Sequence, residues 1–410
     1  MESSEVSVSL YVHVPFCEDK CLYCNFYSLP RRSVHVDIQE AVVEQTIRQA
    51  QFLTEALGYH APPPTIFMGG GTPSALQRPL LQRLLSSLGD PGCREWTVEA
   101  NPESLDAEFL DLCSAAGVSR LSVGVQSTDD RHLRTLKRSA SRADVLGAAA
   151  FLRDRWQGDV NLDFIAGIPG QEPSDVVADL KLLDELSVPH VSLYSLTYEP
   201  DTPLARLAEN GGIRPNSPHK DEELWFAGVD ELQRRGYCHY EVSNFCRPGK
   251  ECRHNLRYWR LLPYIGAGPG AVSTLPAEPV ARAFGKPELA ERGGVLRVSN
   301  PRNIQAFLSG RDGLWGAELE LISSPDFLLE TLMMGLRLEE GISALQFRER
   351  FGSPFDEIFP GLWRRWVETG AARPAGARLA LSHSGRMILD GLLSEIGEMP
   401  DHTRLHVSWP

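Results

Sequence analysis

The order of apolar runs and helical stretches in the first half of the chain does most to narrow its fold. Short β-rich runs at Val8–Val14, Thr65–Met68, Glu95–Ala100, Arg120–Val125, Val160–Ile165 and Val188–Leu196 are interleaved with amphipathic stretches such as Asp37–Leu57 and Asp106–Ala116, and Asp221–Gly236 follows the sixth. Strand and helix in alternation are the signature of βα units around a parallel sheet. Six runs rather than eight predict an incomplete (β/α) barrel. Beyond Asn300 the pattern changes to helices over Phe327–Leu336, Ile342–Phe351, Phe355–Thr369 and Ser384–Ile396, with a small wing around Ala372 and Leu379. The expected class is α/β, an incomplete barrel followed by a smaller, mainly helical C-terminal domain. At 410 residues there is room for both cores. The predicted divisions are 1–240 for the barrel, 241–299 for an extension and 300–410 for the helical domain.

Such a barrel turns the polar groups at its strand C-termini, and in the loops beyond them, toward one working face. Here the first strand delivers CEDKCLYCNF, Cys17 to Phe26. Three thiolates at C-x3-C-x2-C on one loop can reach one iron–sulfur cube and leave one iron without a protein ligand. A zinc knuckle, or three unrelated buried cysteines, are the alternatives. Zinc prefers four closed ligands, often as two paired hooks, and no second hook lies nearby, although His13 and His35 flank the loop. The second strand runs into Gly69-Gly70-Gly71-Thr72-Pro73, which can bring backbone close to a ligand or can simply turn. Glu99, Gln126 and Asp163 fall at or near the ends of the next three strands, and Arg138 one short helix after Gln126. Together they could hold a ribose diol and an amino-acid carboxylate. A carboxylate such as Asp163 in an otherwise apolar strand is costly unless partnered; pairing to a neighbouring backbone group or arginine is the plain alternative.

The totals exclude some classes. A formal net charge of -13 argues against a broad electrostatic footprint for nucleic acid. Eight cysteines, three of them in one loop, fit a reducing compartment better than a disulfide framework. Cys238, Cys246 and Cys252 are too irregularly spaced for a second cluster loop and read as structural. Met1–Glu5 lacks the basic-then-apolar order of a signal peptide, and no apolar stretch approaches the ~20 residues that span a bilayer. The expectation is a soluble, cytoplasmic protein without a transmembrane segment.

The cysteine spacing resembles that of the radical S-adenosylmethionine (SAM) superfamily, in which SAM chelates the fourth iron and the cluster's electron splits the sulfonium. GGGTP after the second strand matches the superfamily's loop for the SAM amino group. The segments YVHVPFCEDKCLYCNF, FMGGGTPS, TVEANPESL, GVQS, NLDFIAGIPGQ, SLYSLTYEPDTPLARL and YEVSNFCRPGKECRHNLRYW resemble a narrower set, the HemN/HemW group of oxygen-independent coproporphyrinogen oxidase and its haem-chaperone relatives. They cover about the first two-thirds of the chain, in order. The resemblance implies a [4Fe–4S] cluster on Cys17, Cys21 and Cys24. It implies SAM bordered by Tyr11 and Tyr23, contacted at its amino-acid end by Gly70, Gly71 and Thr72, and enclosed by Glu99, Gln126, Arg138 and Asp163, with Thr197 a further candidate. One departure is Ala140, where the family often has a histidine two residues after the pocket arginine.

Two features separate the branches of the group. The oxidase branch typically carries a further cysteine two residues after the third, where this chain has Phe26; the chaperone branch typically carries H-N-x-x-Y-W, which His254, Asn255, Tyr258 and Trp259 supply. Both point to the HemW branch, and so imply haem binding and transfer to an acceptor protein. Imidazole is a usual axial haem ligand, and Tyr258 with Trp259 offers flat apolar area for a porphyrin. Taken alone the motif reads as a capped turn with two core aromatics. The following YIGAGPGA, Tyr264 to Ala271, reads as a second close-approach loop. Oxidative decarboxylation of coproporphyrinogen III is the competing function, and RNA modification by radical chemistry a third that the acidic charge disfavours.

Overall fold

One twelve-stranded sheet carries most of the chain in the computed structural model, which describes residues 7–59, 61–310, 314–397 and 407–409. All six predicted strands form, at Ser9–Val14, Thr65–Gly70, Glu95–Ala100, Arg120–Gln126, Asp159–Ala166 and His190–Ser195. They pair in parallel in sequence order. Alternate residues face the covering helices and are apolar: Val12, Ile66, Met68, Val98, Leu121 and Leu162 are all buried. The helix Val36–Leu57 shows why that layer is stable. Its ring-capped start at His35 satisfies the amide of Asp37, its apolar stripe of Val42, Val43, Ile47, Ala50 and Leu53 recurs at helical spacing, and Gly58 ends it at φ 67°. The other set of alternate residues is mostly polar, and it lines the interior.

The sheet stays open, with Glu318–Ile322 at one edge and Cys238–His239 at the other, so the barrel is incomplete as expected. Tyr264–Ala267, expected to be a loop, is instead a seventh parallel strand beside the first. Its glycines serve packing. A Cβ on Gly266 would lie 2.1 Å from the Val272 carbonyl oxygen, and one on Gly268, at φ 104°, 2.4 Å from that of His13. Val272–Pro276, Val295–Ser299 and Glu318–Ile322 continue the sheet in antiparallel fashion.

A second core follows. Phe327, Phe347, Phe351, Phe359 and Trp366 pack together and against Leu261, Val295 and Ile322 from the sheet side. The wing is a three-stranded sheet of Ile342–Ser343, Arg378–Leu381 and Ala372–Ala375. The single helix expected over Phe355–Thr369 is two, Phe355–Ile358 and Leu362–Glu368. Pro360 lacks the amide that would continue the first, and Gly361 turns at φ 75°. Among the described residues no helix is long and apolar enough to cross a membrane.

Candidate cofactor-binding site

The two loops singled out in the sequence are bonded to each other. The amides of Gly71 and Thr72 donate to the carbonyls of Val14 and Phe16, each at 2.7 Å, and the amide of Gly70 donates to Glu99 Oε2 at 3.2 Å. A Cβ on Gly71 would sit 2.5 Å from the Phe16 carbonyl oxygen, and one on Gly70 2.4 Å from the His13 ring. The glycines thus let the loop close onto the first strand. All three amides are spent inside the protein.

Cys17, Cys21 and Cys24 are free and partly buried. The Thr72 hydroxyl donates to Cys17 Sγ at 3.6 Å and Arg138 Nη1 to Cys21 Sγ at 3.4 Å. Burial pushes the Cys17 thiol up and that of Cys24 up to about 11, so without a metal both stay protonated at neutral pH. Among the described residues no three His, Cys, Asp or Glu side chains converge closely enough to hold a single metal ion. Ligands of a cluster attach to separate irons and need no such convergence. Donors aimed at two of the sulfurs fit a thiolate-held cluster. Arg138 also grips Asn101 Oδ1 at 3.0 Å and the Gly124 carbonyl at 2.7 Å through Nη2, while its buried Nε has no partner. That orphaned N–H suits an anionic group on an exchangeable ligand. Tyr23 packs beside it against Leu136 and Ile165.

A cavity of about 280 Å³ opens in the barrel, near the small end of ligand pockets. It brings Tyr11, Gly70, Glu99, Asp163 and Tyr258 together, with Phe26 at its rim. The Tyr11 hydroxyl donates to His13 Nδ1 at 3.0 Å, and His13 Nε2 donates to the Tyr27 carbonyl at 2.8 Å, which fixes the phenol. Asp163 accepts from Ser122 Oγ at 3.2 Å and Asn161 Nδ2 at 2.8 Å; burial still raises it to about 6. Glu99 rises to about 8, first by burial and then by the Asp163 charge, against the pull of the Gly70 amide. At neutral pH the cavity therefore holds a protonated carboxyl that donates beside an ionised one that accepts, a pair suited to a diol. Tyr23, Thr72 and Arg138 gather instead at the cysteine loop. Gln126 sits at a bulge where pairing slips after Gly124, at φ 69°. Left-handed backbone in a residue with a side chain is strained, and bulges re-aim side chains. Thr197 is exposed beyond the sixth strand.

The H-N-x-x-Y-W segment forms the helix Arg253–Trp259 and splits three ways. His254 is fully buried: Nδ1 meets Thr65 Oγ1 at 2.8 Å, Nε2 meets the Tyr258 hydroxyl at 2.9 Å, and burial drives the ring down to about 3. Both nitrogens are engaged, so the neutral ring as it stands has no free lone pair for an iron. Asn255 and Tyr258 line the cavity, whereas Trp259 faces a cleft against the C-terminal domain with Arg350 and Arg378. Sequence reasoning passed over the cavity-lining Thr97, Arg120, Ser122, Asn161, His190 and Ser192. Their signal was there: polar residues at every second position of strands whose parallel neighbours predict unbroken apolar runs.

The matches to known proteins agree with this geometry. Residues 11–183 match the Radical SAM superfamily and residues 322–388 the HemN C-terminal domain. The radical SAM coproporphyrinogen III oxidase HemN from Escherichia coli shares the fold, with a TM-score of 0.70 over 95% of this chain and 90% of its own at 19% identity. Bos taurus radical S-adenosyl methionine domain-containing protein 1, mitochondrial, is 34% identical over 82% of this chain and 74% of its own. The heme chaperone HemW of Lactococcus lactis is 31% identical over 86% of this chain and 87% of its own, and that of E. coli 33% over 94% and 97%. With that much identity held from the cysteine loop through the C-terminal helices, the chain belongs to the HemW family of radical SAM proteins.

Proposed function

We propose that this protein binds haem and passes it to an acceptor protein, with a [4Fe–4S] cluster on Cys17, Cys21 and Cys24 and SAM in the barrel cavity. One observation carries the reading. The cavity that gathers Tyr11, Gly70, Glu99 and Asp163 has Tyr258 of the H-N-x-x-Y-W helix in its wall and two solvent-facing aromatic rings in its lining, Phe26 at 60% and Tyr194 at 42% exposure. Flat apolar area thus adjoins the cofactor residues, where a porphyrin can stack. The cluster, when bound, supplies an electron at low potential. The chain's own part is to hold and orient. Thr72 and Arg138 would steady charge on the sulfurs, Arg138 with its unpartnered Nε would hold the SAM carboxylate, and Glu99 and Asp163 would divide donor and acceptor roles toward the ribose. Tyr23, Gly71 and Gln126 shape the surrounding walls. His254 is the haem-ligand candidate, with Tyr258 and Trp259 beside it. Ligation through its Nε2 requires the ring to release the Tyr258 hydroxyl, and because the ring is fully buried against Thr65 of the second strand it also requires the helix to draw away from that strand. The eight cysteines are all free, in keeping with the reducing cytoplasm.

The test is anaerobic reconstitution followed by three measurements on one sample: iron content, haem titration and coproporphyrinogen III turnover. Haem binding without decarboxylation is expected, and the triple Cys17/Cys21/Cys24→Ser variant should lose the cluster's iron and visible absorption. Efficient SAM-dependent turnover of coproporphyrinogen III by the wild type overturns the reading in favour of the oxidase.

A further inference from the structure

Below the residues assigned to SAM, the cavity has a floor with unspent hydrogen bonds. Arg120 lines it with a side chain only 4% exposed. Its Nη2 is shared by Glu95 Oε2 at 3.2 Å and the Lys250 carbonyl at 3.3 Å, with Asp159 Oδ2 3.7 Å away and itself held by Lys250 Nζ at 2.9 Å. Nε and Nη1 have no partner, and neither has the hydroxyl of Thr97, which faces Arg120 in register and is 1% exposed. Buried donors left unpaired are costly and rare. Arg120 is level with Thr97, two residues below the Ser122–Glu99 pair and four below the Gly124–Asp163 pair. At ~3.3 Å per residue this places it roughly 7 to 13 Å deeper than the two carboxyls.

We propose that this floor binds the amide group of an uncharged small molecule lying beneath SAM, with its carbonyl oxygen on Arg120 and its NH2 on Thr97. The charge count favours an amide over an acid. Arg120 and Lys250 are already matched by Glu95 and Asp159, and Asp163 in the same cavity repels a further anion, whereas a neutral carbonyl uses the free N–H groups at no cost in charge. An amide also donates, and so can use the Thr97 hydroxyl as an acceptor, whereas a carboxylate can only accept from it. The proposal rests on reading the upper cavity as the SAM site.

The test uses ligand-observed NMR and calorimetry on the cluster-reconstituted, SAM-loaded full chain, with propionamide, butyramide and valeramide against the carboxylates of equal length. The amides should bind saturably without displacing SAM and more tightly than their acids. Thr97→Val should weaken them about tenfold, the loss of one buried hydrogen bond, while melting no lower than the wild type because its hydroxyl has no partner in the protein. Arg120→Lys should weaken them as much; if it fails to fold, Thr97→Val decides alone. Absence of saturable binding, affinity indifferent to Thr97→Val, acids binding tighter than amides, or competition with SAM would each sink the proposal. SAM affinity measured on the same samples keeps the two readings apart. Thr97-dependent amide binding in a protein that fails to take SAM would leave the floor standing and remove the upper site.

Discussion

Glu99 shows how burial and one neighbouring charge set a residue's titration. Its carboxyl lies in the barrel beside Asp163, with the Gly70 amide as its hydrogen-bond donor, and titrates near 8 rather than the ordinary 4.5. The unfolded chain ionises this group near 4.5, so between 4.5 and 8 the folded state binds the extra proton. Stability from Glu99 is therefore present at pH 4 and declines as pH rises to about 8. Glu99→Gln keeps an oxygen for Gly70 and removes the ionisation. In SAM-free protein it should melt clearly above wild type at pH 8.5, by on the order of a few kcal/mol, and match it near pH 4.5. Equal melting of the two proteins at both pH values would mean that the carboxyl is not strained by burial.

At the scale of elements, what was legible followed periodicity, and what was not followed contacts across the chain. The six strands and the ends that carry Glu99, Gln126 and Asp163 came from apolar runs. The glycines of GGGTP and YIGAGPGA were visible too, but a glycine in a sequence says only that a Cβ is unwelcome, not what it would strike. The structure supplies the obstacle in each case: Phe16 for Gly71, Val272 for Gly266. The polar floor was missed because Thr97, Ser122 and Asn161 are unremarkable singly and converge only once neighbouring strands are in register. The Gly71 contact gives a prediction. Gly71→Ala pushes a Cβ to 2.5 Å from the Phe16 carbonyl oxygen and should destabilise even the SAM-free protein by about 1–3 kcal/mol, the usual cost of overpacking. A urea titration of apo protein that matches the wild type would return Gly71 to a purely ligand-facing role.

Across the whole molecule, three buried neutral histidines tie the barrel together. His13 is held down to about 4, His254 to about 3 and His190 well below 6.5, all first by burial. Unfolded histidines take up protons near 6.5 while these stay neutral, so stability should be lost as pH falls from about 6.5 toward 4. His254→Gln should flatten that loss in urea midpoints measured between pH 7 and 5. The second core reaches the same helix from outside. Arg350 donates to the carbonyls of Arg260 and Leu261, at 3.1 and 3.4 Å, and to Thr331 Oγ1 at 3.4 Å. Trp409 Nε1 donates to Leu261 as well, at 2.9 Å, and Leu261 sits at φ 45°. These contacts clamp the turn that follows Trp259, and the Arg350 acceptors are uncharged oxygens, so burial lowers its guanidinium to about 10. Arg350→Met preserves the stem and removes the donors. It should cost about 1–3 kcal/mol, the range for hydrogen bonds from a charged group, and speed amide hydrogen exchange over residues 253–262 while leaving the cysteine loop, 17–26, as protected as before. If His254 is the haem ligand proposed above, its full burial means that this helix must loosen before an iron is reached, and the same variant should then also bind haem faster than the wild type. A uniform rise in exchange along the chain would mean that Arg350 serves overall stability and that the C-terminal domain does not govern the helix.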